Sequence, residues 1–279
     1  MALAADRELV AVDHSTLRVA MAEYNVRVYG NTIKGTVGDV TFDWPEAEAV
    51  HIDPDRRETG QRRHQPDESS PGLDVVKRIV EHYKNAAVKL SPGADFNMLG
   101  FDAEIELISH KGECKQAVAW TGRFKQAHRR ATVLPAGESI SAGKDEPLDW
   151  PLPRTVTPGC FLFEPDPAVI RANLVGKVAG IHNLSPVDKQ IAWLVGEKRV
   201  VTSLLNIFKV IDTMDFSAKR VRQWLNRHDI GEVQIKTRGF AAHPQEIMKH
   251  LKKLTGQKQA VLFLTRVNKK PLAILGQRL

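Results

Sequence analysis

Val50-His51-Ile52-Asp53-Pro54-Asp55-Arg56-Arg57 decides how the first half of the chain is read. Residues 49–52 form a short apolar run that stops at Asp-Pro and passes into a basic loop. Proline fixes its own φ and restricts the preceding residue to extended conformations, so the carbonyl and carboxylate of Asp53 are held at a strand's carboxyl end. In open α/β sheets that rim is where ligands bind. Taken alone, Asp-Pro is most often a plain turn after a strand. The flanking sequence gives it more weight.

Upstream, the Leu-Val-Ala-Val run at 9–12 predicts a buried parallel strand ending at Asp13. Ser15 is placed to cap a helix in which Leu17, Ala20, Met21, Tyr24 and Val28 recur at helical spacing, with Gly30 closing it. Residues 33–37 predict a second strand, ending in Gly38-Asp39. With 49–52, this gives three strands that each deliver an aspartate, expected in register along one rim of a doubly wound α/β sheet. A carboxylate at such a rim can accept both hydroxyls of a ribose. A single aspartate there is more often a helix cap or turn former.

Downstream, residues 58–72 hold Arg62, Arg63, His64 and Pro66 with almost nothing apolar, which predicts a loop at the rim. Together with Arg56 and Arg57 it offers four arginines for the phosphates of a nucleic acid, and an ordinary solvated loop would look the same. A helix is predicted over 73–83, with Val75, Val76, Ile79 and Val80 inward, and a strand over 86–90 ending in Ser91-Pro-Gly93. Glu104 and Glu106 alternate with Ile105 and Leu107 as a strand whose acidic face is exposed. Gly112 is read as preceding a helix that holds Cys114, Ala117, Val118 and Trp120. Residues 129–134 and 138–141 predict a hairpin. Cys114 is either a nucleophile or, as lone cysteines more often are, a small buried hydrophobe.

The chain has 279 residues, enough for two domains of ordinary size. No apolar run approaches the roughly 20 residues of a membrane span, and the first residues lack the pattern of a signal peptide. Two cysteines without a CxxC argue against a disulfide framework or a zinc site, and fit a reducing cytoplasm. No metal ligand set is predicted. The net charge of +7 is unevenly spread. Residues 1–150 carry 19 Lys/Arg against 24 Asp/Glu, whereas 151–279 carry 21 against 9. A basic half joined to a mildly acidic one predicts a polyanion-binding module attached to something else.

Four prolines in 145–158 mark this segment as a linker between domains at 1–144 and 159–279. Just past it, Phe161-Leu-Phe-Glu-Pro-Asp-Pro-Ala-Val-Ile-Arg171 places Asp166 as a helix cap with Pro167 at the first helical position. Glu164 is assigned to that turn and capping geometry rather than to catalysis. Strands near 191–195, 207–211, 233–237, 260–267 and 272–275 and helices at 217–228 and 244–254 predict a second α/β domain. Its basic residues include Lys236 and Arg238 in Ile235-Lys-Thr-Arg-Gly239.

Val10-Ala-Val-Asp13, Gly38-Asp-Val40 and Ile52-Asp-Pro-Asp-Arg-Arg57 resemble the middle of a class I S-adenosylmethionine-dependent methyltransferase. Phe161–Arg171 and Ile235–Gly239 resemble the THUMP-like domain that follows the methyltransferase domain in a bacterial group. The fold this implies is α/β: a Rossmann-like methyltransferase sheet, N-terminally truncated, then a smaller α/β THUMP-like domain. The resemblance implies S-adenosyl-L-methionine as cofactor, held by Asp13, His14, Asp39 and Val40. Asp53 and Pro54 would lie at the reacting centre. Arg56, Arg57, Arg62, Arg63, Lys236 and Arg238 would hold an RNA substrate. Asp-Pro-Asp-Arg-Arg lacks the aromatic residue of the Asp-Pro-Pro-Tyr enzymes, which leaves the substrate class open. The family's glycine-rich loop should precede Asp13, yet the first glycine is Gly30. Weak or absent cofactor binding is therefore expected, and a non-catalytic RNA-binding protein on a degraded methyltransferase scaffold is the alternative.

Overall fold

The structure, a computed structural model, describes residues 8–54, 69–147, 150–241, 243–251 and 254–279. The first strand, β1 (Val10–Asp13), passes through Ser15 into helix α1 (Thr16–Val28). The Ser15 hydroxyl accepts the Arg18 N–H, as expected of an N-cap. The helix docks by Val19, Glu23 and Val26, spaced to share one face. Val19 and Val26 are buried, and Glu23 Oε1 accepts the Gly35 N–H at 2.9 Å from the next strand, β2 (Lys34–Val37). The apolar residues Leu17, Met21, Tyr24 and Val28 stay exposed.

Strand β3 (Val50–Ile52) leads toward helix α2 (Leu73–Tyr83) and strand β4 (Ala86–Leu90). Leu73, Val76, Ile79, Val80 and Tyr83 form one buried stripe of α2. Each such side chain contributes about 1.5–3 kcal/mol on leaving water. Four more strands follow: β5 (Glu104–His110), β6 (Glu113–Trp120), β7 (Arg129–Leu134) and β8 (Glu138–Ala142).

These strands make two sheets. β1 and β2 form a parallel pair of their own, while a six-stranded sheet runs β3-β4-β6-β5-β7-β8. It is mixed: β3 is parallel to β4 and β5 to β7, whereas β7 and β8 are antiparallel. The expected single rim carrying all three aspartates is thereby corrected. β1 and β3 belong to different sheets, and among the described residues each has one ladder partner. Strand character is written in the local pattern; the identity of the ladder partner is not.

Two local readings are also corrected. Residues 113–120 are a strand, not a helix. The chain reverses at Lys111 and Gly112, both at positive φ (53° and 76°), the backbone that a two-residue hairpin turn requires. Glu104 does not face solvent: it is buried and its Oε2 accepts the Gln126 N–H at 2.7 Å.

The second half begins with β9 (Phe161–Pro165), α3 (Pro167–Arg171) and α4 (Val175–His182). Asp166 caps α3 by accepting the Ala168 N–H at 2.8 Å, with Pro167 first in the helix. Then come β10 (Ser185–Asp188), β11 (Ile191–Gly196), β12 (Leu205–Asp215), α5 (Ala218–Arg227), β13 (Ile230–Thr237), α6 (Pro244–Leu251), β14 (Lys258–Val267) and β15 (Lys270–Arg278). They build a seven-stranded sheet ordered β10-β11-β9-β12-β15-β14-β13, antiparallel except for β13 and β14. Alternate residues of β14 feed two cores. Ala260, Leu262 and Leu264 pack with Val221, Trp224 and Leu225 of α5 and with Ile247 and Leu251 of α6. Val261 and Phe263 pack on the other face with Leu162, Trp193, Phe208 and Ile274. Val156, from the proline-rich segment, is buried in this second core.

The chain divides into two compact units: Met1–Glu104 with Val118–Gln126, and Ile105–Ala117 with Ala127–Leu279. No helix of the described residues is long and apolar enough to cross a membrane.

Candidate functional site

Asp13 ends β1, and the backbone that follows fixes its side chain. The Ser15 N–H donates to Asp13 Oδ1 at 2.8 Å. The other oxygen, Oδ2, faces Arg18 Nη1 at 3.8 Å. Beside it, His14 Nδ1 lies 3.6 Å from Oδ1 on an exposed imidazole. β2 runs parallel to β1, pairing Val37 with Asp13, and the Gly38 N–H donates to the Asp13 carbonyl at 3.2 Å. This carries Asp39 to the same end of the sheet. The Asp39 carboxylate accepts the Thr41 N–H at 2.8 Å, and bonding to Thr41, backbone first and then side chain, holds its pKa below the ordinary carboxylate value. Val40 follows, its carbonyl accepting the Trp44 indole N–H at 2.7 Å. Asp13, His14, Asp39 and Val40 are thus brought together by one pair of strand ends.

The donor set suits the adenosine half of a nucleotide cofactor. Each carboxylate has one oxygen fixed by a backbone N–H. Among the described residues the second oxygen of Asp13 has only a long ionic contact, and it can accept a ribose diol. Asp39 stays ionised and can accept an exocyclic amine.

Asp53 stands at the carboxyl end of β3, followed by buried Pro54. Lys89 Nζ, from β4, donates to Asp53 Oδ2 at 2.7 Å. Parallel pairing of Ile52 with Val88 places the two residues side by side. The pair is half exposed, so it contributes at most about 1 kcal/mol to stability and serves mainly to orient the carboxylate. Lys89 was not singled out from the sequence. It follows Val88 as the one residue of β4 that is not buried. Arg56, Arg57, Arg62 and Arg63 lie outside the described residues.

In the second unit, Lys236 and Arg238 sit two residues apart at the end of β13 and both meet Glu164 of β9. Lys236 Nζ donates to Glu164 Oε2, and Arg238 Nη2 lies 3.6 Å from Oε1. Burial works against the charge of Arg238, with Glu164 opposing that effect. The assignment of Glu164 to capping is therefore corrected: Asp166 caps, and Glu164 makes ion pairs. The sequence hid this because Glu164 and Lys236 are 72 positions apart in the chain.

Cys114 lies in β6, half buried, and burial pushes its thiol up to about 11. Such a group is a poor nucleophile at neutral pH.

Comparison with known proteins places these features in context. Residues 205–278 match the family model described as THUMP domain-like. Over 277 residues the chain is 35% identical to uncharacterized S-adenosylmethionine-dependent methyltransferases from two strains of Mycobacterium tuberculosis, covering 95% of this chain and 74% of theirs. A crystal structure of a candidate methyltransferase from Porphyromonas gingivalis shares the fold, with a TM-score of 0.78 at 17% identity, covering 96% of this chain and 71% of that one.

Proposed function

Since the chain belongs to a family of S-adenosylmethionine-dependent methyltransferases, we propose that it is a class I, Rossmann-like member acting on RNA. Asp13, His14, Asp39 and Val40 hold the adenosine half of the cofactor. Asp53 and Pro54 orient the methyl acceptor. Arg56, Arg57, Arg62 and Arg63 meet substrate phosphates, and Lys236 and Arg238 of the THUMP-like unit grip RNA. The observation that carries this reading is the pair of prefixed carboxylates, Asp13 and Asp39, on adjacent parallel strand ends joined by the Gly38 to Asp13 hydrogen bond.

When bound, the cofactor supplies a methyl group already activated on a sulfonium. The protein's own work is then orientation and placement of charge. The Asp53 carboxylate is held by Lys89 and its backbone by Pro54, so an acceptor hydrogen-bonded there loses little further freedom. Asp13 and Asp39 together bring negative charge toward a cationic cofactor.

A second reading, RNA binding without catalysis, draws on the basic balance of residues 151–279, which carry 21 Lys/Arg against 9 Asp/Glu. Calorimetric titration with S-adenosylmethionine and S-adenosylhomocysteine tests both readings. The methyltransferase reading expects binding that Asp13→Asn and Asp39→Asn abolish. Micromolar binding that Asp13→Asn and Asp39→Asn leave intact would overturn the site. Micromolar binding that they remove would keep the site and dismiss the non-catalytic reading.

A further inference from the structure

Glu164, Lys236 and Arg238 come from the two stretches that resemble the THUMP-like domain, and the fold brings them onto one face. Glu164 pairs in register with Asn206 of β12, and Lys236 with Phe263 of β14. Below them lies an aromatic floor. Phe263 meets Trp193 and Phe208 edge-on, with ring centroids at 5.1 and 4.8 Å. Lys236 Nζ stands 5.9 Å from the Phe208 ring centre, and Arg238 Cζ stands 5.7 Å from that of Trp193. The aromatic faces help retain both cations in a poorly solvated place.

One carboxylate serves two cations, and it serves them unequally. The described polar contacts of the Arg238 side chain are long: 3.6 Å to Glu164 Oε1 and 3.4 Å from Nη1 to the Ala192 carbonyl. A charge-assisted hydrogen bond of a filled guanidinium is about 2.7–2.9 Å. A third cation borders the group, since Arg278 Nη2 donates to Asn206 Oδ1 at 3.1 Å. Side-chain exposures of 28% for Lys236 and 27% for Arg238 leave both within reach of solvent, whereas Glu164 is 12% exposed.

We propose that Lys236 and Arg238 form a phosphate-binding site for an RNA phosphodiester, and that Glu164 is its internal counter-anion. The incoming phosphodiester takes the carboxylate's place on the two cations. It can engage the guanidinium through two oxygens at once, which Glu164 does not do. Glu164 thereby sets the threshold of the site. It neutralises one of the two charges, so an isolated anion gains little, whereas a polymer held by further contacts displaces it. This rests on the RNA reading above.

The test is the affinity of the full chain for a fluorescein-labelled RNA hairpin, measured by anisotropy across a salt series. Glu164→Gln should tighten binding about three- to tenfold and steepen the salt dependence by up to about one counterion. The double variant Lys236→Gln with Arg238→Gln should weaken binding, and adding Glu164→Gln to it should then change nothing. If Glu164→Gln leaves binding unchanged or weaker while the double variant is impaired, the counter-anion role is overturned and the RNA reading stands. If the wild-type chain does not bind the hairpin, the RNA reading fails and this proposal with it. Should Glu164→Gln fail to fold, the wild-type chain is labelled with an amine-acylating reagent. RNA should protect Lys236, and equal labelling with and without RNA overturns the site.

Discussion

Thr121→Val should destabilise the N-terminal unit by about 2–4 kcal/mol although it barely changes shape. Thr121 is 3% exposed. Its Oγ1 accepts the N–H of Ala86, the first residue of β4, at 2.9 Å and donates to the Lys84 carbonyl at 2.6 Å. Its own N–H donates to the Ala86 carbonyl at 2.9 Å. One hydroxyl therefore ties the corner between α2 and β4, where Lys84 sits at φ 61°, to the end of β6. Valine fills the same space and supplies neither bond. A buried donor or acceptor left unsatisfied costs about 1–3 kcal/mol, and here one N–H and one carbonyl are affected, with partial relaxation at the carbonyl. Calorimetry should show the unit's transition falling by roughly 5–15 °C. Amide exchange at Ala86 should accelerate. Thr121→Ser keeps the hydroxyl and loses one methyl, so it should cost only about 0.5–1.5 kcal/mol. A Thr121→Val protein that melts with the wild type, or a Thr121→Ser protein that melts with Thr121→Val, would refute the reasoning. The corner matters to the site because β4 delivers Lys89 to Asp53.

Burial also governs the cysteines. With Cys114 at about 11 against an ordinary 9.0, its thiolate fraction at pH 8 is about a hundredfold below that of a free thiol. Cys160 is shifted the same way by burial. Native protein should therefore react slowly with a disulfide reagent at both positions and rapidly after denaturation; two fast thiols in the native state would contradict this. Asp212 gives a pH dependence. Burial opposes its ionisation, but hydrogen bonds from Trp224 and Thr213, and one shared with His228, all at 2.8 Å, outweigh burial and lower its pKa. A carboxylate with a lowered folded pKa stabilises above its unfolded value near 3.8 and loses that contribution as pH falls through the folded value. Asp212→Asn should therefore melt below wild type at pH 7, with the difference closing as the pH drops well below 3.8. A constant difference across that range would count against the mechanism.

Much of the fold is legible in the sequence because the signals are local. α2 has the span that the spacing of Val75, Val76, Ile79 and Val80 predicts, and Asp166-Pro167 opens α3 by capping chemistry. β6 was misread because Cys114, Ala117, Val118 and Trp120 fit a helical period, while the turn at Lys111 and Gly112 that makes it a hairpin strand is a backbone property. Of the candidate site, Asp13 and Asp39 were legible as strand-terminal carboxylates. Their hydrogen-bonded neighbourhood and the grip of Lys89 on Asp53 were not.

The sequence by itself determined where helices such as α2 and α3 start, which residues bear charge, and which strand ends carry an acid. Tertiary structure alone decided that β1 and β2 stand apart from the sheet holding β3, that α1 docks through Val19, Glu23 and Val26 rather than its longer apolar stripe, and that Glu164 meets Lys236 and Arg238. The reason is the range of the interactions. Capping, turn geometry and periodic burial act within a few residues, so each is written where it operates. Ladder partners and ion pairs join residues far apart in the chain and are fixed only when the sheets close.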